Sequence, residues 1–146
     1  MIRCDLTFEI ARPLPEVFAY VDDVRNAPKW LGRCRGLEQT SSGPKGVGST
    51  LRYQYFENRR DGEMTGMVSE YEVNRRLVMK YSDAMFDVEV GFGFESASPG
   101  TRIAHTVRIE PRNLMFKLMQ PMIEVATKKQ LATDTAKLKQ LLETPA

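Results

Sequence analysis

The sequence predicts an α+β fold in which a curved antiparallel sheet of about seven strands wraps around a long C-terminal helix. Two observations support this prediction. Apolar and polar residues alternate over most of the chain up to about residue 111, which is the period of half-buried strands. From Asn113 the alternation stops, and apolar residues recur at helical spacing as far as Leu142.

Two short helices are predicted between the first strand and the second. Residues 2–10 alternate as in a half-buried strand, which the segment RPLP ends. Pro15 suits a first helical turn, and the apolar residues that follow it have helical spacing. A second short helix is predicted from Asn26 to Leu31, and Gly32 ends it.

Six further strands are predicted between Gly36 and Pro111, separated by turn-forming segments. These segments are SSGPKGVG, RDGE, NRR, the residues around Ala84, and SPGT. The Asp-Gly pair of RDGE predicts a tight hairpin at Asp61 and Gly62. The length of the segment SSGPKGVGS suits a mobile loop between strands better than a boundary between domains.

The C-terminal helix is predicted from Leu114 to Leu142, with a kink or a restart at Pro121. From Pro121 onward it would be about 33 Å long, at a rise of about 1.5 Å per residue. A strand of about ten residues has a similar length. The helix is therefore expected to lie across the sheet and cover its apolar face.

Length and charge exclude several classes of protein. A chain of 146 residues is most simply one domain, residues 1–146. Its 21 basic and 19 acidic residues are evenly spread, and a net charge of +2 does not indicate a nucleic-acid partner. No apolar run reaches the roughly 18 residues of a membrane span, so no integral membrane segment is expected. The polar N-terminus is unlike a signal peptide, so a cytoplasmic protein is expected.

The cysteine spacing predicts neither a metal site nor a redox motif. Cys4 and Cys34 lie far apart in the chain, with no second cysteine or histidine near either one. The chain also has no glycine-rich phosphate loop, because GVGS lacks the lysine and the helical context. We therefore predict no metal and no cofactor.

Several segments occur in the order that one known family shows. The segment RPLPEVFAYVDDVRNAPKW is similar to a pattern of Pro-x-x-Val-Phe, Asp, Asn and Pro-x-Trp, and it is followed by GVGS, VSEYEVNRRLVMKY, GTRIAHTVRIEP and a final helix containing LKQLLE. In these segments the chain resembles the polyketide cyclase/dehydrase and lipid-transport family of the SRPBCC superfamily, which includes the START proteins and the birch-pollen allergen. The resemblance implies the helix-grip fold, with a cavity between the sheet and the long helix. It leaves the activity open, because relatives include lipid carriers, quinone binders, aromatic-ring cyclases and chaperone co-factors.

The residues predicted to face this cavity are apolar, with a few polar groups that would orient a ligand. The ligand-binding candidates are Trp30, Tyr53, Tyr55, Met64, Met79, Tyr81, Val90, Phe92, His105 and Met122. Methionine side chains repack easily around varied ligands, although they also fill gaps in ordinary cores. Trp30, the only tryptophan, is predicted to close one end of the cavity. The alternative is that all these side chains simply fill the core.

The leading functional hypothesis is binding or transport of a hydrophobic small molecule, such as a lipid, an isoprenoid quinone or a polyketide-like aromatic. An alternative is a polyketide cyclase or dehydratase in which His105 or Tyr81 moves protons, since both are expected to face inward. His105 could equally be a satisfied core histidine. A third hypothesis, a chaperone or assembly co-factor, needs an exposed apolar patch, whereas the exposed faces are predicted to be charged.

The expected partner is therefore a small hydrophobic ligand, and the protein is expected to be a monomer or a homodimer. Transient membrane contact is a further possibility. Arg33, Arg35, Arg59 and Arg60 would surround the cavity mouth in the predicted fold and would attract acidic lipid head groups.

Overall fold

The computed structural model describes residues 1–57 and 59–144, so Asn58, Pro145 and Ala146 lie outside it. The described residues form seven strands, four α-helices and a 3₁₀ turn at Val24–Asn26. The strands are β1 (Ile2–Ile10), β2 (Cys34–Gln39), β3 (Thr50–Glu57), β4 (Arg60–Glu72), β5 (Arg76–Ser82), β6 (Phe86–Ala97) and β7 (Gly100–Pro111). The helices are α1 (Leu14–Asp22), α2 (Ala27–Trp30), α3 (Leu114–Leu118) and α4 (Gln120–Glu143).

The seven strands form one antiparallel sheet in the order β1-β7-β6-β5-β4-β3-β2. The chain crosses from one edge of the sheet, β1, to the other, β2, through α1 and α2. This arrangement confirms the predicted helix-grip fold, including the two short helices after the first strand. Consecutive strands from β2 to β7 are neighbours because each follows its predecessor through a short connection.

The hairpin between β3 and β4 differs from the prediction. Glu57 pairs directly with Arg60, so Asp61 and Gly62 lie inside β4 rather than in the turn. The structure gives Gly62 a different role, because a side chain there would clash with the ring of Tyr55 on the neighbouring strand. The Asp-Gly signal therefore marked a close approach between strands instead of a turn.

The loop SSGPKGVG, predicted to be mobile, is tethered to the rest of the fold at Lys45. The Nζ atom of Lys45 lies 3.0 Å from the Asp22 carboxylate and donates a hydrogen bond of 2.8 Å to the Asp22 carbonyl oxygen. The Tyr71 hydroxyl donates a hydrogen bond of 2.7 Å to the same carboxylate. The loop is thus joined to α1 and, through Asp22, to β4.

The C-terminal helix restarts near Pro121, as predicted. Asn113 caps α3 by accepting a hydrogen bond of 2.9 Å from the Phe116 backbone, and α3 ends at Leu118. Pro121 lies in the first turn of α4, where its missing N–H costs no helical hydrogen bond. The buried face of α4 begins only at Thr127, so the first two turns cover little of the sheet.

Candidate ligand-binding site

The space between the sheet and α4 is closed at one end. Side chains from five of the strands, from α1 and from α4 meet there and are almost wholly inaccessible to solvent. They include Ile10, Val17, Leu51, Val68, Leu77, Ile103 and Leu138. This end of the interior is an ordinary close-packed core.

Toward the other end, the inward-facing side chains are only half-buried. They include Tyr53, Tyr55, Phe86, Val88, Val90, Val107 and Ile109. Val88 and Val90 lie on β6, which has a neighbouring strand on both sides, so their exposure is not an effect of the sheet edge. Among the strands α4 packs mainly on β1, and its buried residues begin only at Thr127, so it leaves Val88 and Val90 uncovered. We call this open region, with its floor of half-buried apolar side chains, the groove.

Three rings lie where the closed core meets the groove. Phe92 and His105 face each other across β6 and β7 and stack, with ring centres 4.3 Å apart and an interplanar angle of 17°. Trp30 approaches both rings edge-on, at 6.0 Å from Phe92 and 6.2 Å from His105. Trp30 is 3% exposed, so the indole covers the pair from the α2 side.

His105 is a polar group in an apolar environment. It is 2% exposed, and neither of its ring nitrogens has a hydrogen-bond partner among residues 1–57 and 59–144. Burial lowers the pKa of His105 to about 3, so its imidazole is neutral at physiological pH. A neutral imidazole presents one donor and one acceptor. His105 therefore offers both to any polar group that reaches it.

Three tyrosines form a second aromatic group beside the groove. The rings of Tyr53 and Tyr55 stack at 5.9 Å, and Tyr53 lies 5.5 Å from Tyr81. The Tyr81 hydroxyl donates to the Met79 sulfur at 3.3 Å, and the Tyr55 hydroxyl donates to Asp83 at 3.1 Å. Burial raises the pKa of both Tyr53 and Tyr81, so these phenols stay protonated.

Most of the sequence-predicted residues lie together along the groove or beneath it. Met64 pairs with Tyr53 across β3 and β4 and is buried under the groove. Met122 does not join them, because it is 65% exposed on the outer side of α4. The reason is helical geometry: Met122 is nine residues from the buried Leu131, which at about 100° per residue places the two on opposite sides.

The predicted ring of arginines is not a free cluster of charge. Arg33 pairs with Glu57 at 3.2 Å, and the Arg35 guanidinium lies 4.8 Å above the ring of Phe56. Arg59 lies in the turn between β3 and β4, and Arg60 begins β4. Two of the four arginines therefore have other partners.

Asp134 is a buried residue that sequence reasoning missed. Its carboxylate accepts hydrogen bonds from the Gly32 backbone at 3.0 Å and from Gln130 at 2.7 Å. These bonds fix α4 to the end of α2, directly after Trp30. Burial raises the pKa of Asp134 despite the two donors. An acidic residue in a charge-rich helix normally indicates a surface position, so the sequence held no signal for this contact.

A depression of about 480 Å³ lies on the opposite, outer face of the sheet. Its lining includes Lys80, Glu89 and Arg108, which alternate in charge across β5, β6 and β7. Glu89 and Arg108 form an ion pair at 3.4 Å. The sheet separates this depression from the aromatic interior around His105, so we place the candidate site in the groove.

Within residues 1–57 and 59–144, no three His, Cys, Asp or Glu residues come close enough to hold a metal ion. In the same part of the chain, no helix combines the length and the apolar character needed to span a membrane.

Comparison with known proteins gives a family and a fold. A family model described as "Polyketide cyclase / dehydrase and lipid transport" matches residues 1–143. No match was found among curated proteins. Similar solved structures include a START superfamily protein from Mycobacterium smegmatis, which has 18% identity and a TM-score of 0.83, with 98% of each chain covered.

The Zhui aromatase/cyclase from Streptomyces sp. R1128 is also similar. Its identity is 12% and its TM-score is 0.80, with 97% of this chain and 93% of that chain covered. At these identities the likeness establishes the fold alone.

Proposed function

Because the chain belongs to the polyketide cyclase/dehydrase and lipid transport family, we propose that it binds a hydrophobic small molecule carrying a carbonyl or hydroxyl group. The apolar body of the ligand occupies the groove, over Val88 and Val90. Its polar end hydrogen-bonds to His105. Lipids, isoprenoid quinones and polyketide-like aromatics all have this combination of groups.

The observation that carries the proposal is the position of His105 between Phe92 and Trp30. Burying a polar group that makes no hydrogen bond costs about 1–3 kcal/mol. A ligand carbonyl or hydroxyl would recover that cost by bonding to the imidazole. Hydrocarbon surface packed on the neighbouring aromatic rings would add to the affinity.

Access to His105 requires movement of Trp30. The inward-facing position next to His105 on β7 is Val107, which is half-buried in the groove and about 7 Å away along the strand. A ligand in the groove therefore ends one position short of His105 while Trp30 covers it. Displacement of the indole would open a path from the groove to His105, which gives Trp30 the role of a gate.

The protonation states of the inward-facing residues support binding rather than proton transfer. A general acid or base works best when its pKa lies near the working pH. Burial moves the pKa of His105 down to about 3 and the pKa of Tyr81 upward, so neither group exchanges protons readily near neutrality. His105 is instead suited to neutral hydrogen bonding with a ligand, whereas the Tyr81 hydroxyl already donates to Met79.

The experiment has two stages. Purified protein is first extracted with organic solvent for mass spectrometry, and thermal shifts are measured with lipids, quinones and polyphenols. Binding of a dimethylnaphthoquinone and of the matching dimethylnaphthalene is then compared by calorimetry. We expect His105→Phe, which keeps the aromatic stacking, to weaken quinone binding about ten-fold and leave the hydrocarbon unaffected.

The matched control is Tyr81→Phe. Its hydroxyl already donates to Met79, so its removal should change the binding of either probe little. Absence of any extracted molecule, together with no thermal shift across the panel, would overturn the proposed function. Equal loss of quinone binding in both variants would remove His105 as the specific hydrogen-bonding group.

A further inference from the structure

The junction between α3 and α4 exposes an unusual concentration of large apolar side chains. Six of them lie within twelve residues and are between 37% and 75% exposed. They are Leu114, Met115, Leu118, Met119, Met122 and Val125. Soluble surfaces rarely carry contiguous apolar patches of this kind unless something binds there. We call these six residues the junction patch.

The junction patch faces away from the sheet. Met122 and Val125 point outward from α4, on the side opposite Thr127 and Leu131, where the helix packs on the fold. Beyond Val125 the outward side of α4 becomes polar, beginning with Lys129. The apolar surface is therefore confined to α3 and the first two turns of α4.

Basic residues border the patch. Residues 112–129 contain four basic side chains, Arg112, Lys117, Lys128 and Lys129, and a single acidic one, Glu124. This segment therefore has a formal charge of +3, whereas the whole chain has +2. All four basic residues are exposed; Lys128 forms a long, solvated pair with Glu124 at 3.8 Å, and Arg112 donates to the Asp83 carbonyl oxygen at 2.7 Å. Apolar residues flanked by lysine and arginine are the composition of helices that bind at the surface of anionic membranes.

We propose that the junction patch docks onto the surface of an anionic lipid membrane. Leu114, Leu118 and Met122 would enter the boundary between head groups and acyl chains. The lysines would lie among the anionic head groups, which attract each basic side chain near the surface. The segment is too short to span the bilayer, so α3 and the start of α4 would lie along its surface.

Charge and exposure favour a membrane over a second copy of this chain. A two-fold interface places the same patch of both subunits in contact, so the basic borders would face each other and repel. The patch is also highly exposed, since five of its six side chains are between 62% and 75% accessible. Such side chains can enter a deformable lipid phase without needing a complementary pocket.

The patch lies close to the open end of the groove. Phe116 of α3 contacts Phe86 of β6, with ring centres 4.9 Å apart. Phe86 is the neighbour of Val88 on the groove floor. A docked protein would thus hold the groove beside the membrane, although docking itself depends on the patch and not on a bound ligand.

Vesicle co-sedimentation tests the inference. The vesicles contain phosphatidylcholine with about one-third phosphatidylserine, compared with phosphatidylcholine alone. We expect the wild type to bind the anionic vesicles and Leu114→Gln/Leu118→Gln to bind at least about ten-fold more weakly. The matched control, Val47→Gln/Val73→Gln, removes two equally exposed apolar side chains outside the patch and should bind normally.

A second pair of variants isolates the charge. Lys128→Gln/Lys129→Gln should weaken binding to anionic vesicles by about five-fold per lysine at low salt, and raising the salt should reproduce this loss in the wild type. Failure of the wild type to bind anionic vesicles, or equal binding to neutral ones, would overturn the proposal. So would light scattering that shows a dimer which Leu114→Gln/Leu118→Gln dissociates, because the patch would then be a subunit interface.

The test also separates this inference from ligand binding. The solvent extraction and the quinone titration use neither vesicles nor the patch variants. If the protein binds the quinone but not the vesicles, the membrane-docking proposal is overturned and the proposed function stands. If it binds the vesicles but no ligand, the proposed function is overturned and the docking proposal stands.

Discussion

At the scale of single residues, the position of His105 links folding to pH. Its pKa falls from 6.5 to about 3 because the interior excludes water from the charged imidazolium. Between these two pH values, the unfolded chain binds a proton that the folded chain does not. Above about pH 6.5 neither state binds this proton, so His105 does not lower the stability there. As the pH falls from 6.5 toward 3, the free energy of unfolding decreases.

Replacing His105 should therefore change how the stability of the protein depends on pH. His105→Phe should flatten the acid side of the stability profile, because the removed histidine contributes up to about 1.4 kcal/mol per pH unit between pH 6.5 and 4. Urea unfolding of both proteins over that range measures the difference. Tyr81→Phe is the control, since a phenol does not titrate there. Parallel profiles for wild type and His105→Phe would show that His105 is protonated in the folded state.

Gly66 supports a second residue-scale prediction. It pairs with Tyr81 across β4 and β5, and an added Cβ would overlap the tyrosine ring. We expect Gly66→Ala to lower the free energy of unfolding by about 1–3 kcal/mol through overpacking. Gly46→Ala is a suitable control, because within the described residues no atom lies inside 4 Å of its added Cβ. Chemical denaturation that shows equal losses for both variants would contradict this explanation.

At the scale of elements, the contact of Lys45 with Asp22 shows how a glycine-rich loop is held. The side chains of Lys45 and Asp22 are 12% and 21% exposed, so this ion pair is far less solvated than the pairs on the surface. Partial burial makes its removal costly, because the remaining carboxylate loses a partner. The sequence shows Lys45, but it does not show that Lys45 lies beside Asp22, which is 23 positions earlier in the chain.

The corresponding prediction uses Lys45→Met, which keeps the length of the side chain and removes its charge. We expect thermal denaturation to show a loss of about 1–3 kcal/mol, together with faster proteolysis in residues 41–49. Arg25→Met breaks the exposed pair with Asp23 and should leave both measurements unchanged. If the two variants behave alike, the tether contributes nothing to the stability of the loop.

Elements whose limits depend on local chemistry were predicted well. Pro121 marks the restart of the C-terminal helix because a proline at that point lacks an N–H and clashes with the preceding turn. The hairpin at Asp61 and Gly62 was predicted wrongly for a related reason. The Asp-Gly signal is local, whereas the residue that requires Gly62 is the ring of Tyr55 on another strand.

At the scale of the whole molecule, Trp30 connects the helices with the site. It is the only tryptophan, so the indole emission of the protein comes from this residue alone. Its ring contacts Phe92 and His105, and α4 is fixed beside it through the bond between Asp134 and the Gly32 backbone. Changes in how α2 sits against the sheet should therefore alter its fluorescence.

The whole-molecule prediction concerns ligand entry. Each ligand identified by thermal shift should change the wavelength or intensity of Trp30 emission, because a molecule that reaches His105 has to displace the indole. Titration followed by fluorescence measures this. A ligand bound with the expected stoichiometry and no change in emission would remove the gate role of Trp30. Surface ligands such as the vesicles provide the comparison, since their contact is with α3.

The sequence by itself determined the architecture and the inward faces. Alternation with a period of two assigns strands and their buried sides. It predicts that Tyr81, Phe92 and His105 face inward, and all three are buried. Helical spacing and Pro121 assign the C-terminal helices. These signals are readable because they depend only on residues that are close in the chain.

Only the tertiary structure decided which of those inward faces remain open. The stack of His105 on Phe92 needs the register of β6 and β7, and the exposure of Val88 and Val90 needs the position of α4. The same position turns Met122 outward, although its apolar side chain indicated a place in the site. Contacts between distant segments set these features, and a pattern along one segment cannot contain them.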